Sequence, residues 1–259
     1  MNASPSALSS KLFAVLITIF LLSFPARMLM ADYYYSRVSS ILDDRSTEYR
    51  DFKTISGDTM ASYNDAIKSL NKAAAIVPSR SVYYKALSDI YSKLGRWAEN
   101  MDAVNAPLPA DAPSSQEAFR TAIRHLNKAV SLEPTNPDYH LALGRLYDAT
   151  AGDRSYSDNE FQRALKAYPV NAPLRSAVAK HYLLTGKNGD ALEQARILAK
   201  IDESYRASNS ARLGSYLFGA LEIAWRVSGD TAVLKGMAPD NPDAKEVLRL
   251  FLEWKGIEE

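Results

Sequence analysis

The chain has 259 residues of which 47% are hydrophobic, enough for one or two ordinary domains with a substantial buried core. Its 31 Lys and Arg against 30 Asp and Glu leave a formal charge of +1, so charge gives no reason to expect general affinity for nucleic acid. The absence of cysteine excludes disulfides, thiolate metal sites and cysteine nucleophiles.

Residues 1–11 form a small polar tail with Lys11 as its only side-chain cation. An apolar run follows over residues 12–24, is interrupted at Pro25, Ala26 and Arg27, and resumes to Ala31. As a helix, residues 12–31 reach about 30 Å, enough to cross a bilayer. A signal peptidase needs small residues one and three positions before its cut, yet Ala26 pairs with Phe24 and Ala31 with Leu29. An uncleaved transmembrane signal anchor is therefore expected, the alternative being a removed signal and a secreted soluble protein. Arg27, Arg37 and Arg45 on the far side argue for a cytoplasmic domain. The short cationic lead resembles a bacterial signal anchor, which exports the domain behind it, and that sets the expectation: a single pass through a bacterial inner membrane with a periplasmic domain.

Residues 32–59 read as a juxtamembrane helix and link, with Tyr34, Val38, Ile41, Leu42, Tyr49 and Phe52 near helical spacing. Tyr33, Tyr34 and Tyr35 fall where the chain leaves the bilayer, a place that suits an apolar ring with a polar tip.

From residue 60 to 202 a repeat takes over. Leu143, Gly144 and Tyr147 recur 35 residues on as Val178, Ala179 and Tyr182, then as Leu213, Gly214 and Leu217, then as Leu248, Arg249 and Leu252. Moving back 56 residues gives Leu87, Ser88 and Tyr91. Between these helices lies a second set: Ala66, Leu70 and Ala73 before Pro78, Ala122, Leu126 and Ala129 before Pro134, Phe161 and Ala164 before Pro169. The spacing predicts helices over residues 81–94, 138–150 and 172–185, with Gly95 and Gly186 as C-caps. Residues 96–115 are an insertion, a short helix followed by an extended loop carrying Pro107, Pro109 and Pro113, and nothing in it is chemically special. Over residues 203–259 the register continues in degenerate form. A helix is expected over 208–227, a short one over 231–237, and a last one after Pro242 that caps the array with Lys245, Glu246, Arg249 and Glu253 outward and Trp254 in cap packing.

Leu, Gly and Tyr in one helix, Ala, Phe or Leu, and Ala in the next, and Pro at the turn resemble the tetratricopeptide repeat, most closely over residues 122–169. The tryptophan usual near the start of the first helix is replaced by Tyr84, His140 and Arg175. The resemblance implies an all-α, right-handed solenoid of helical hairpins, here preceded by one N-terminal transmembrane helix. It also implies that the first helix of each pair lines a peptide groove, which places Lys85, Asp89, Leu141, Arg145, Asp148, Ser176, Lys180 and Leu183 on that surface.

No catalytic constellation is apparent. His125, His140 and His181 share no ligand spacing with one another or with a carboxylate pair, and the chain has no glycine-rich phosphate loop and no Gly-x-Ser-x-Gly elbow. No enzyme activity, cofactor, metal or small-molecule substrate is expected. The partners expected are other proteins, membrane proteins above all, with residues 12–31 in the membrane. The function expected is a membrane-anchored interaction scaffold; an aromatic membrane exit followed by such repeats is similar to the C-terminal part of some O-antigen polymerase and ligase proteins, which implies a place beside cell-envelope polysaccharide assembly. The alternative is a structural accessory subunit of a larger membrane complex, held through its transmembrane and juxtamembrane helix.

Overall fold

A computed structural model of the chain describes residues 23–38, 57–150, 154–202 and 215–257. The described residues contain only helices and connections. They fall into two compact units, divided after Pro134. No helix among them is long and apolar enough to cross a membrane, and most of the expected anchor lies outside the described residues.

The first unit holds α1 (23–38), α2 (Gly57–Ile76), α3 (Ser81–Ala103) and α4 (Ser115–Leu132). Residues 39–56 of the expected juxtamembrane helix and link lie outside the described residues. Ala31 of α1 is buried with Ala73, Ala74, Val77 and Tyr83. A polar clamp closes the same contact: the Asp32 carboxylate accepts from the Arg80 guanidinium at 2.6 Å and from the Tyr83 hydroxyl at 3.0 Å. Burial pushes the Tyr83 phenol above its ordinary value, and the bond to Asp32 raises Arg80. Further along, α2 and α3 bury Met60, Tyr63, Leu70, Leu87, Ile90, Leu94 and Trp97 together.

Helix α3 differs from its expectation. It does not stop at Gly95 but runs on to Ala103, so residues 96–103 continue the same helix. Gly95 is not a cap but a crossing point, where an added Cβ would lie 2.8 Å from the Phe119 ring of α4. The loop over residues 104–114 turns at Asn105, whose φ of 55° lies in the left-handed region that asparagine tolerates. It then folds back on its own unit: Leu108 and Ala112 pack against the α2–α3 core, and Asn64 donates to Asp111 at 3.1 Å. Ser114 starts α4 by accepting the Glu117 amide.

The second unit begins with two hairpins, α5 (Pro137–Ala149) with α6 (Arg154–Ala167) and α7 (Ala172–Leu184) with α8 (Asn188–Ile201). Asparagine caps recur at each entry: Asn136 accepts the Asp138 amide and Asn171 the Leu174 amide, with proline in the first turn of both helices. Gly144 meets Phe161 as Gly95 meets Phe119, with an added Cβ 2.7 Å from the ring. Gly186 takes a φ of 77° and turns the chain from α7 into α8, as expected of it.

The helix expected over 208–227 is shorter in the structure. Ser215 sits in extended backbone and caps the Phe218 amide, so α9 is Tyr216–Ser228, and residues 208–214 lie outside the described residues. A second cap comes from the preceding helix, whose buried Asp202 carboxylate accepts the Leu217 amide at 2.7 Å. Gly229 ends α9 in the left-handed conformation, α10 (Thr231–Met237) follows, and Asn241 then caps α11 (Pro242–Lys255). Val247, Leu248, Phe251 and Leu252 close the core, while Arg249 faces out and pairs with Glu246 and Glu253. Trp254 is 55% exposed, and rests on the rims of Phe218 and Phe251 with the Lys255 ammonium 4.0 Å from its ring centre.

Candidate peptide-binding cleft on the second unit

Side chains one turn apart on α5 and α7 lie on the same helix face. Arg145 and Asp148 of α5 and Ser176 and Lys180 of α7 therefore line one cleft of about 320 Å³. Phe161, Pro173, Ala177 and Tyr216 supply its less polar walls. Four of the eight residues expected in a groove thus share one cavity. Leu141 and Leu183 do not join them; both are partly buried against the core of the unit.

The charges in this cleft are not equivalent. Asp148 presents both carboxylate oxygens to His181 Nδ1, at 2.8 and 2.9 Å. The imidazole is almost wholly buried, with 1% of its side chain exposed, and its Nε2 lies 2.8 Å from Asp158 of α6. Asp158 in turn pairs with the Lys187 ammonium. Burial raises the Asp158 carboxyl, but hydrogen bonds from Lys187 and His181 outweigh it and hold the group below its ordinary value of 3.8. Each ring nitrogen of His181 thus has a carboxylate partner, one on α5 and one on α6. Asp148 is thereby engaged from behind by His181, while Arg145 and Lys180 line the same cleft.

His181 was expected to be a scattered packing residue with no carboxylate pair at ligand spacing, and the structure corrects this. Its partners lie 33 and 23 residues away on α5 and α6, so no local spacing reveals them. His140 repeats the device in the same unit: its Nδ1 lies 2.6 Å from Glu160 of α6, which Arg163 also contacts at 3.0 Å. His125, expected on a solvated face, stacks on Tyr91 at 5.7 Å, and burial lowers its pKa from the ordinary 6.5. Among the described residues, no group of three or more His, Cys, Asp or Glu is arranged to hold a metal ion.

In the first unit, Lys85 and Asp89 pair with each other along α3 at 2.6 Å. The crossing glycine shows that they stand one heptad too early. If Gly95 does for α3 what Gly144 does for α5, the positions matching Leu141, Arg145 and Asp148 are Ser92, Arg96 and Glu99. Arg96 and Glu99 are exposed there. The signal was present in the sequence, since Leu-Gly-Arg at residues 94–96 repeats Leu-Gly-Arg at 143–145.

No protein-family model and no curated protein matches the sequence. Solved structures do match. TTC0263, a thermophilic TPR protein of Thermus thermophilus, is 22% identical over 79% of this chain and 96% of its own, with a TM-score of 0.48. MamA is 18% identical over 77% of this chain and 92% of its own, with a TM-score of 0.42. YrrB, a TPR protein with an unusual peptide-binding site, is 15% identical over 74% of this chain and 86% of its own, with a TM-score of 0.42. The tetratricopeptide-like character of the chain rests on its own hairpins, crossed at Gly95–Phe119 and Gly144–Phe161.

Proposed function

We propose that the chain is a protein-interaction scaffold whose second unit takes an acidic peptide segment into the cleft between α5 and α7. The observation that carries this reading is the placement of Arg145 and Lys180 at one cavity beside Phe161 and Pro173, with the nearby Asp148 turned to His181. An extended acidic segment would set carboxylates against the two cations and apolar side chains against Pro173 and Tyr216. Residues 12–31 would hold the scaffold in a bacterial inner membrane with the repeats on the periplasmic side, where even weak cleft contacts become effective for a partner in the same bilayer. Work beside envelope polysaccharide assembly is the cellular role that the resemblance suggests.

The test is co-purification in mild detergent of the full chain and of Arg145→Glu/Lys180→Glu, after circular dichroism has shown equal helicity. A partner held by the native chain and lost from the variant supports the cleft. Equal capture by both refutes it and favours a structural subunit held through its N-terminal helix. For the polysaccharide role, unchanged amount and chain length of surface polysaccharide on deletion is the refuting result.

A further inference from the structure

Helix α1 has two halves with opposite surroundings. From Ala31 onward it is docked: Ala31 and Val38 are buried, Tyr35 lies 5.6 Å from Tyr83, and Asp32 is clamped by Arg80 and Tyr83. Ahead of Ala31 Met28 still packs against the unit, but Phe24 is 61%, Leu29 72% and Met30 56% exposed. These are large apolar side chains, and they do not form a stripe. At about 100° per residue, Leu29 lies roughly 140° around the helix from Phe24, and Met30 a further 100°. A protein groove takes one face of a helix. Exposed apolar groups that point in three directions around the helix are satisfied by a medium that surrounds it, not by a single groove. The half that carries them continues, in sequence, the run of residues 12–24, and between Leu12 and Ala31 the only charge is Arg27, whose long stem can carry its guanidinium to headgroups.

We propose that the half of α1 ahead of Ala31 is embedded in a lipid bilayer whose water boundary falls between Met30 and Ser36, and that the Asp32–Arg80 clamp makes the first unit a rigid continuation of the embedded helix. The proposal rests on the anchor reading of residues 12–31 and deepens it by saying how the repeats are carried. On a loose tether the first unit would sample many heights and tilts; clamped to α1 it is held at one. Tyr33, 59% exposed, and Tyr34, with the Lys72 ammonium 5.4 Å from its ring centre, then sit at the boundary, where tyrosine and lysine are both at ease.

The chain contains no cysteine, so single nitroxide labels can be placed without background. Full-length Phe24→Cys, Leu29→Cys, Met30→Cys, Ser36→Cys and Arg37→Cys would each be labelled and reconstituted in phosphatidylethanolamine–phosphatidylglycerol liposomes. Collision with oxygen, which concentrates in lipid, is then compared with collision with a water-soluble nickel chelate. The expected result is a lipid signature at all three of 24, 29 and 30 and a water signature at 36 and 37, with the oxygen-to-nickel ratio several-fold apart. A lipid signature at only one of the three, or a water signature at all three in protein that floats with the liposomes, overturns the boundary while leaving the anchor in place. Failure to float with the liposomes overturns the anchor and this proposal together. For the clamp, labels on Arg37→Cys and Lys68→Cys should give one narrow distance distribution, broadened at least twofold by Asp32→Ala/Arg80→Ala with the label at 24 still in lipid. A broad distribution in the otherwise native chain overturns the rigid coupling.

Discussion

Alanine at Gly95 or Gly144 tests the register of the repeats directly. A glycine-to-alanine change inside a helix normally stabilises it by about 0.8–1 kcal/mol, because alanine loses less backbone freedom. At Gly144 the new Cβ would meet Phe161 at 2.7 Å, and at Gly95 it would meet Phe119 at 2.8 Å. Both rings are buried, at 1% and 2% exposure, so neither can swing into solvent to make room. Overpacking of this kind costs about 1–3 kcal/mol, which cancels or outweighs the propensity gain. Gly219 is the internal control, a glycine in α9 whose added Cβ would meet nothing within 4 Å. The difference between Gly144→Ala and Gly219→Ala removes the propensity contribution and leaves the ring contact, about 1–3 kcal/mol. For a chain of this size that is a gap of about 2–12 °C in Tm. Thermal unfolding by circular dichroism, in one detergent for all variants, reads it, and Gly144→Ala/Phe161→Leu should recover part of the loss. If Gly95→Ala and Gly144→Ala raise Tm as Gly219→Ala does, the two glycines are not crossing points and the register assigned to α3 is wrong.

Three further outcomes are expected. His181→Ala removes the buried centre between Asp148 and Asp158 and should cost about 3–5 kcal/mol in urea unfolding, as breaking buried charge pairs does, whereas a cost under about 1 kcal/mol would show that the two carboxylates stand without it. The folded-state pKa of Asp158 is depressed, so its contribution is present above the ordinary carboxylate range and is lost as pH falls through the folded value; Asp158→Asn should flatten the stability profile at the acid end, and an unchanged profile would count against the network. Asp202→Ala leaves the buried Leu217 amide without that acceptor and should cost about 1–3 kcal/mol, read as faster hydrogen exchange at the start of α9 than at its end.

Much of the hairpin plan was legible because it depends on local chemistry. Prolines and glycines mark the turns, and the 35-residue spacing from Gly144 to Ala179 places the crossing of α5 and the matching position of α7. The failure at α3 is instructive for the same reason. A glycine inside an apolar pattern can end a helix or let another helix approach, and only the next breaker decides; here that is Asn105, ten residues beyond Gly95. Matching Ser88 instead of Gly95 to Gly144 put Lys85 and Asp89 where the glycine register places Ser92 and Arg96. The histidine links were illegible in a different way, since each partner lies on another helix. Their one sequence sign was a polar residue at a core phase, His140 and His181 on one side and Glu160 on the other, and a buried polar group requires a partner even when spacing does not name it. In the cleft, Arg145, Asp148, Ser176 and Lys180 came from register alone, and what register could not supply was that Asp148 faces inward to a histidine.

Helix α6 is held unlike its neighbours. Of its four buried residues, Ser157 and Glu160 are polar and only Phe161 and Ala164 are apolar, and Asp158 beside them is spoken for by His181 and Lys187. Its grip on α5 and α7 therefore depends on charged and hydrogen-bonded pairs as well as on apolar packing. Acid that reaches the lowered value of Asp158 would weaken that grip while leaving the apolar packing of α9 and α11 untouched. The second unit should then open in a set order, with α6 lifting first as a separate cooperative segment and the C-terminal helices last.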